Sequence, residues 1–395
     1  MSLIQCNIAI VGCGPSGMLA ALRIAYSQKE VLLVGFERNT SDVRTTALMM
    51  PSIRILETLG VWHKLFKHAA PLSMIGIIDR TNRILRSPVV NFLASEIEEE
   101  VFGYNIPNDA LNAILYEAVL QSPNIHRIRA TVKSYSYKNK VLEMILSNEK
   151  KLRARLLVAA DGRCSFARKA LGITSLIYSY PQKAIISNFS HSLSHANSST
   201  ELHMEDGYLT QIPLQGKRSS LVWVMSPERA EKVLSLSRDL LNREVESYMS
   251  SILGEVSLEP PIQSHIIESV LPKRFSADRV ILIGEAAHVL PPIGAQGLNL
   301  GIRDIVDLSF SIALDNNDPG SDRVVSFYNR RRKMDILMTA NFVDVLNRTL
   351  LSSCFPIKFL RCAGLYLLKG FSPLRVFVMR ERMDLCNFSY FSCIK

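Results

Sequence analysis

Seven residues near the start of the chain, Val11-Gly12-Cys13-Gly14-Pro15-Ser16-Gly17, set a Gly-x-Gly-x-x-Gly spacing between two segments of opposite character. Before them, Asn7-Ile8-Ala9-Ile10-Val11 is a short apolar run with β propensity. After them, Met18-Leu19-Ala20-Ala21-Leu22-Arg23-Ile24-Ala25 is strongly helical. The expected unit is strand, tight turn and helix, the opening of a doubly wound α/β sheet that holds a dinucleotide at the turn. Gly12 permits the turn, Gly14 lets the backbone approach a pyrophosphate, and Gly17 lets the helix pack on the strand. Pro15 and Ser16 complete a helix start whose N–H groups face the anion. A glycine-rich turn that binds nothing has the same local pattern, so the decision falls to the rest of the chain.

A second strand is expected at Val31-Leu32-Leu33-Val34, with an acid for the adenosine ribose at its end, about 20 residues past the glycines. Gly35 holds that position. Glu37, two residues later, is the nearest candidate, and a solvated acid is the other reading of it.

Two further segments follow strand-like runs. Leu152 to Ala160 leads into Asp161-Gly162-Arg163-Cys164-Ser165-Phe166-Ala167-Arg168. The run Arg279-Val280-Ile281-Leu282-Ile283 leads into Gly284-Glu285-Ala286-Ala287-His288 and on to Pro292-Ile293-Gly294-Ala295-Gln296-Gly297-Leu298-Asn299. Taken with the first motif, this order resembles the single-component FAD-dependent aromatic hydroxylases, whose fold is that of para-hydroxybenzoate hydroxylase. Their second motif is matched by Asp161, Gly162, Ser165 and Arg168. Their third is matched by Gly284, Ala286, Ala287, His288, Pro291 or Pro292, Gly294, Gly297 and Asn299. Arg44-Thr45-Thr46-Ala47-Leu48, the run Gly294 to Asp304, and Asn341, Asp344 and Leu346-Asn347-Arg348 are similar to the ubiquinone-biosynthesis hydroxylase branch. Glu285 departs from the pattern, standing where the family usually has Asp.

The resemblance implies FAD bound by Gly12, Gly14, Pro15, Ser16, Gly17, Glu37, Arg44, Asp161, Gly162, Gly284, Glu285, Gly294, Gln296, Gly297, Leu298 and Asn299. Glu285 would reach the ribityl hydroxyls. Arg44, Pro292, Gly294 and Gln296 would lie nearest the reacting ring, with the Gly294 to Asn299 backbone facing the flavin's pyrimidine edge. It also implies the chemistry: a hydroperoxide at flavin C4a, whose distal oxygen a phenol ring attacks, in the hydroxylation of a polyprenylated phenol of ubiquinone biosynthesis by O2. The electron donor is NAD(P)H or a separate redox partner, and membership of a biosynthetic complex is a further expectation. A hydroxylase of a small soluble aromatic compound and a non-catalytic flavin-binding subunit remain the alternatives.

At 395 residues, 48% hydrophobic and 21% charged, the chain can bury a large core and is expected to form more than one unit. We expect an α/β fold: a Rossmann-like FAD-binding domain (1–71, 101–179 and 276–330), an interleaved β-sheet substrate domain (72–100 and 180–275) and a C-terminal helical region (331–395). Strands are expected at Met74 to Ile78, at Ile84-Leu85 and at Ser219 to Met225. Helices are expected at Asp109 to Leu120 and at Pro227 to Leu236, and Glu96 to Glu100 is expected to form a solvated acidic face. The seven cysteines form no Cys-x-x-Cys pair, and no signal-peptide pattern opens the chain. A reduced, cytoplasmic protein is the expectation. His191, His195 and His203 fit no zinc spacing, so no metal is expected.

From Arg323 to Lys395 there are thirteen Lys and Arg against four acids, nearly the whole of the chain's net charge of +10. Lys358, Arg361 and Lys369 interrupt apolar stretches there well short of the ~20 residues a spanning helix needs. Two readings stay open: a cationic amphipathic surface lying peripherally on the inner membrane face, and an ordinary helical layer over the core. No nucleic-acid motif accompanies the charge.

Overall fold

The register of five parallel strands places the rest of the molecule. In the computed structural model, which describes residues 3–37, 42–81, 86–138, 141–351 and 354–382, the strand Leu3–Val11 lies between Val31–Val34 and Lys151–Ala159. Parallel pairing continues outward to Ile125–Ile128 on one side and Val280–Leu282 on the other. Val31–Val34 and the last four residues of both Leu3–Val11 and Lys151–Ala159 are buried throughout, as strands covered on both faces must be. The first half of Lys151–Ala159 instead alternates exposed and buried. There it pairs antiparallel with Val141–Leu146, which pairs in turn with Val132–Lys138. The helices Pro15–Tyr26, Asn108–Gln121 and Gln296–Ala313 supply Met18, Leu19, Leu111, Leu115, Leu300 and Ile305 to the core around this sheet.

A second sheet of seven strands runs in the order Val256–Pro272, Ser175–His191, Arg218–Met225, Tyr208–Pro213, Ser198–His203, Met74–Asp79 and Val90–Leu93. One face carries Ile185, Phe189, Trp223, Leu221 and Leu209, covered by the helices Pro227–Leu234 and Arg238–Tyr248. Its other face packs Ala184, Tyr208 and Val224 against Ile293 and against Val343 and Leu350 of the helix Asp322–Leu351. A third, small antiparallel sheet joins Thr45–Met49, Gly103–Pro107 and Ala70–Leu72. A Cβ at Gly103 would stand 2.0 Å from the Leu48 carbonyl oxygen, so this pairing admits only glycine there.

The α/β class with a helical C-terminal region is borne out. The expected helix at Asp109 to Leu120 is Asn108–Gln121, and that at Pro227 to Leu236 is Pro227–Leu234. The strand expected at Ile84-Leu85 lies outside the described residues. Two findings add to the sequence reading. One helix, Asp322–Leu351, runs through the junction placed between 330 and 331, because Tyr328 bonds the Leu282 carbonyl and Arg332 reaches Asp304, fixing both halves to the first sheet. Within the acidic stretch at 96–100, Glu96 pairs with Arg375 at 2.6 Å and Glu99 with Arg54 at 3.0 Å, so that face is partly an interface. Among the described residues, the expected C-terminal helical region continues in two further helices, Phe355–Gly370 and Ser372–Arg382.

Candidate flavin site

Strand register brings the three sequence motifs together. Val11 is level with Val34 on one side and Ala159 on the other, and Ala159 is level with Leu282. Bonds from Gly12 N to Val34 O (2.9 Å), Ala160 N to Val11 O (2.8 Å) and Ile283 N to Ala159 O (3.0 Å) carry the ladder one residue further. The chain then leaves the sheet at its carboxyl edge at all three motifs, which is where open α/β sheets bind their ligands.

The glycines divide into two sets. A Cβ on Gly12 would lie 2.1 Å from the Ala160 carbonyl oxygen, on Gly17 1.9 Å from the Gly12 oxygen, and on Gly284 2.5 Å from Ser16 Oγ. Gly12 (φ +117°) and Gly284 (φ +59°) also adopt backbone conformations that side chains oppose. These three allow the turn, the first helix and the third motif to touch. By contrast, a Cβ on Gly14, Gly162 or Gly297 would meet nothing within 4 Å. Packing does not require glycine at those positions, although Gly162 (φ +82°) adopts a left-handed backbone; the space beside all three is open, as a cradle for a ligand needs. Pro15 sits at the start of the first helix, after Gly14 as its N-cap, with no acid in the first turn to compete for its dipole.

The second motif is held by its own side chains. Ser165 Oγ accepts from Arg168 N at 3.0 Å, capping a short helix, and Asp161 Oδ2 accepts from Ala167 N at 3.0 Å. Asp161 Oδ1 is buried without a partner among the described residues. The buried Arg168 guanidinium donates to the carbonyls of Ala286 (2.8 Å) and Arg163 (2.7 Å), tying the second motif to the third.

The third motif rests on a buried charge network that the sequence reading did not assign. Asp304, fully buried, accepts from Gly284 N (2.9 Å) and His288 Nε2 (2.8 Å) through one oxygen and from Arg332 Nε (2.7 Å) through the other. Arg332 is 2% exposed and also meets Asp307 (3.0 Å) and Asp335 (2.6 Å). Burial alone would raise the Asp304 carboxyl. The His288 and Arg332 contacts and the Gly284 N–H outweigh it, holding Asp304 below the usual carboxylate range.

Gly294 (φ +66°) and Ala295 (φ +55°) are consecutive left-handed residues that turn the chain into the helix Gln296–Ala313. No side chain caps that helix and no acid occupies its first turn. The N–H groups of its first turn, at Gln296, Gly297 and Leu298, have no intrahelical acceptor. Gln296 Nε2 folds back onto Gly294 O (3.1 Å). Pro292, Gly294 and Gly297 are exposed, and Leu298 is half-buried. The Asn299 side chain is wholly engaged: it donates to Ala47 O (2.9 Å) and Ala295 O (2.6 Å) and accepts from Met49 N (3.0 Å) and Ser52 Oγ (2.7 Å). The Asn299 side chain therefore has no polar group left over for a ligand.

Arg44 makes a two-point contact with Asp42, both arms at 2.7 Å, and Asn108 Nδ2 holds the same carboxylate at 3.2 Å. The hydrogen bonds to Asp42 raise the guanidinium's pKa, and the negative charge of the exposed Glu285 adds to this. His265 lies on the long strand Val256–Pro272 of the second sheet. Burial and then the charges of Arg44 and Arg163 lower its pKa. No sequence signal pointed to His265. Glu37 is half-buried and bonded to Arg129 at 2.9 Å, close enough to Cys13 in the glycine loop to raise that thiol together with burial. A Cβ at Gly35 would stand 3.0 Å from Cys13 N, so a side chain there would crowd the glycine loop.

Fold and site together define a doubly wound dinucleotide-binding protein with a second sheet over the carboxyl edge of the first. The chain belongs to the FAD-binding-domain family, whose model matches residues 5–339. It is similar to ubiquinone hydroxylase UbiL of Rhodospirillum rubrum, at 27% identity over 95% of this chain and 89% of that protein. It is also similar to 3-demethoxyubiquinol 3-hydroxylase of Escherichia coli, at 26% identity over 91% and 93%. Among solved structures, p-nitrophenol 4-monooxygenase PnpA from Pseudomonas putida superposes with a TM-score of 0.78 at 18% identity, covering 98% of both chains. The residues present fit FAD: open space at Gly14, Gly162 and Gly297, a buried Asp161 oxygen without a partner among the described residues, and two helix starts without acids in their first turns. FAD, when bound, supplies the electron transfer and oxygen activation that these side chains cannot.

Proposed function

We propose that the chain is a monooxygenase that hydroxylates the aromatic ring of a polyprenylated phenol in ubiquinone biosynthesis. One oxygen atom of O2 enters a ring C–H bond and the other leaves as water, with two electrons from NAD(P)H or a redox partner. Under this reading the cradle glycines, Pro15, Ser16, Asp161, Gly162, Glu37 and the Gly284–Glu285 turn hold FAD. Arg44, Pro292, Gly294 and Gln296 border the reacting ring. The first sheet with its motifs is the FAD domain and the seven-stranded sheet the substrate domain.

The observation that carries the substrate reading is a partly exposed apolar face. Ile186 pairs across strands with Val222, Val222 with Thr210, and Ile212 with Ser220, so these side chains share one face. Ile293 packs in a cluster with Tyr208, Ala184 and Val224 on that face, and Ala295 packs in another with Ile212 and Ile75. The loop before the Gln296 helix thus lies against the face. Ile186, Val222, Thr210 and Ile212 keep part of their surface open, as a site for an apolar ring and tail requires. The Arg168 and Asp304 contacts keep the neighbouring backbone fixed, and the sheet excludes water from one side.

The test is turnover of the purified flavoprotein with isotopically labelled O2 and a prenylated phenol. One labelled atom in the product supports the proposal. Labelled product from the unprenylated phenol alone favours the soluble-aromatic alternative, and no labelled product with either phenol overturns it.

A further inference from the structure

The sheet face that carries Ile186, Val222 and Ile212 also carries a carboxylate. In register, Glu201 stands opposite Thr210, and Thr210 stands opposite Val222. Directly opposed residues point to one face, while the neighbouring Leu202 and Leu209 pack on the other. Glu201 therefore borders the half-buried Thr210 and Val222, with Ile77 level with it on the next strand. One pleat away, about 7 Å along the strands, Ile75 and Ile212 of the same face pack with Ala295, at the turn into the Gln296 helix.

His203 fixes this carboxylate. Its Nε2 meets Glu201 Oε1 at 2.6 Å, with the Glu201 side chain 20% exposed and that of His203 6%. The other histidine nitrogen, Nδ1, is buried without a partner among the described residues, and so is the hydroxyl of Tyr208 directly across the strands. Burial, and then the charge of Glu201, raise the Tyr208 phenol well above its ordinary value, which keeps that hydroxyl protonated. Glu201 Oε2 makes no hydrogen bond or ion pair to a described residue. A histidine with only a structural role finds a backbone carbonyl, as His195 does with Leu214 O at 2.9 Å. Placing a carboxylate beside an apolar face costs desolvation that a structural role would avoid.

We infer that Glu201, oriented by His203, receives the ring hydroxyl of the substrate. With the ring over Thr210 and Val222, Oε2 accepts a hydrogen bond from the phenol O–H and takes its proton as the ring is hydroxylated. The phenol O–H bond breaks, an O–H bond forms on the carboxylate, and the electron pair left on the phenol oxygen enriches the ring carbon that bonds to oxygen. That carbon then loses its own hydrogen as a proton to solvent, and the phenol oxygen regains the proton held by Glu201. The inference rests on the phenol substrate proposed above and names the residue that reads its hydroxyl.

The experiment compares an ortho-farnesylated phenol with its methyl ether. Binding to the oxidised holoprotein is followed by flavin difference absorbance, without turnover. The wild type should prefer the phenol by about tenfold or more, the range for a hydrogen bond to a charged group. Glu201→Gln should reduce that preference to about twofold, and Glu201→Asp should keep most of it. In turnover, Glu201→Gln should lower kcat by about a hundredfold on this phenol. The loss should be far smaller on a ring-fluorinated analogue acidic enough to be ionised at the assay pH, which needs no base. Equal affinity for phenol and ether in the wild type, or a preference unchanged in the Gln variant, overturns the inference and leaves the hydroxylase reading standing. An equal loss of kcat on both phenols overturns the proton transfer, and loss of bound flavin in both the Gln and Asp variants assigns Glu201 to the fold instead. A wild type that binds neither compound refutes the substrate reading together with the inference.

Discussion

The guanidinium of Arg168 donates to the carbonyl oxygen of Ala286 at 2.8 Å, joining two cofactor motifs that lie 118 residues apart. Because Arg168 is itself buried, the second and third motifs are positioned before any ligand arrives. Arg168→Ala should lower stability by about 1.5–3 kcal/mol, the range for a hydrogen bond from a charged donor. FAD should dissociate more readily although Arg168 makes none of the proposed contacts. Urea titrations of the apoprotein and FAD binding measured by fluorescence check the two effects separately.

Asp304 and Arg332 set the acid limit of the fold. A depressed folded-state pKa contributes stability that is fully present above the unfolded value, ~3.9 for Asp, and is lost as pH falls through the folded-state value. Urea midpoints should hold from neutral pH to about 5 and decline below about 4. Asp304→Asn leaves a buried guanidinium short of one partner and should cost about 3–5 kcal/mol at neutral pH, an order above the exposed pairs such as Lys133–Glu149. Its midpoint should also vary less with acid, and an unchanged acid limb would assign that limb to other carboxylates.

Glu285 tests how the third motif meets its ligand. Glu285→Ala should weaken FAD binding by about 1.5–3 kcal/mol, and Glu285→Asp, which shortens the chain and keeps the charge, should do so far less. A dissociation constant unchanged in the alanine variant would make Glu285 a surface acid that serves only to balance Arg44.

Val222 lies on the partly open sheet face across from the Ile293 loop. Val222→Trp should fill that space and lower kcat/KM by about tenfold or more, and FAD content measured alongside separates loss of the substrate space from displacement of the Ile293 loop. Unaltered kinetics with the prenylated phenol would place the substrate elsewhere.

Much of the fold was legible because its signals are local. The first strand, turn and helix, the strand Val31–Val34 and the helix Asn108–Gln121 follow from period and propensity, and three short glycine motifs announce the site. The side-chain assignments inside those motifs were not legible, since their partners are distant in sequence. Asn299 bonds across to Ala47, Met49 and Ser52, some 250 residues away. Asp304 finds Arg332 a helix later. Contacts of that range leave no periodicity to read. The buried Gln211, bonded to Ser219, is likewise a polar residue that pattern alone would place in solvent.

The most direct test of the site is a pair of valine substitutions read for folding and for bound flavin. At Gly17 a Cβ would stand 1.9 Å from the Gly12 carbonyl oxygen, so Gly17→Val should disrupt the fold itself. At Gly14 a Cβ meets no protein atom within 4 Å, so Gly14→Val should keep the circular dichroism and the apoprotein melting temperature of the wild type. It should nevertheless purify colourless, because the side chain occupies the space of the pyrophosphate. A folded, colourless Gly14→Val protein is the result this account predicts; one that retains full yellow colour and wild-type FAD affinity would contradict it.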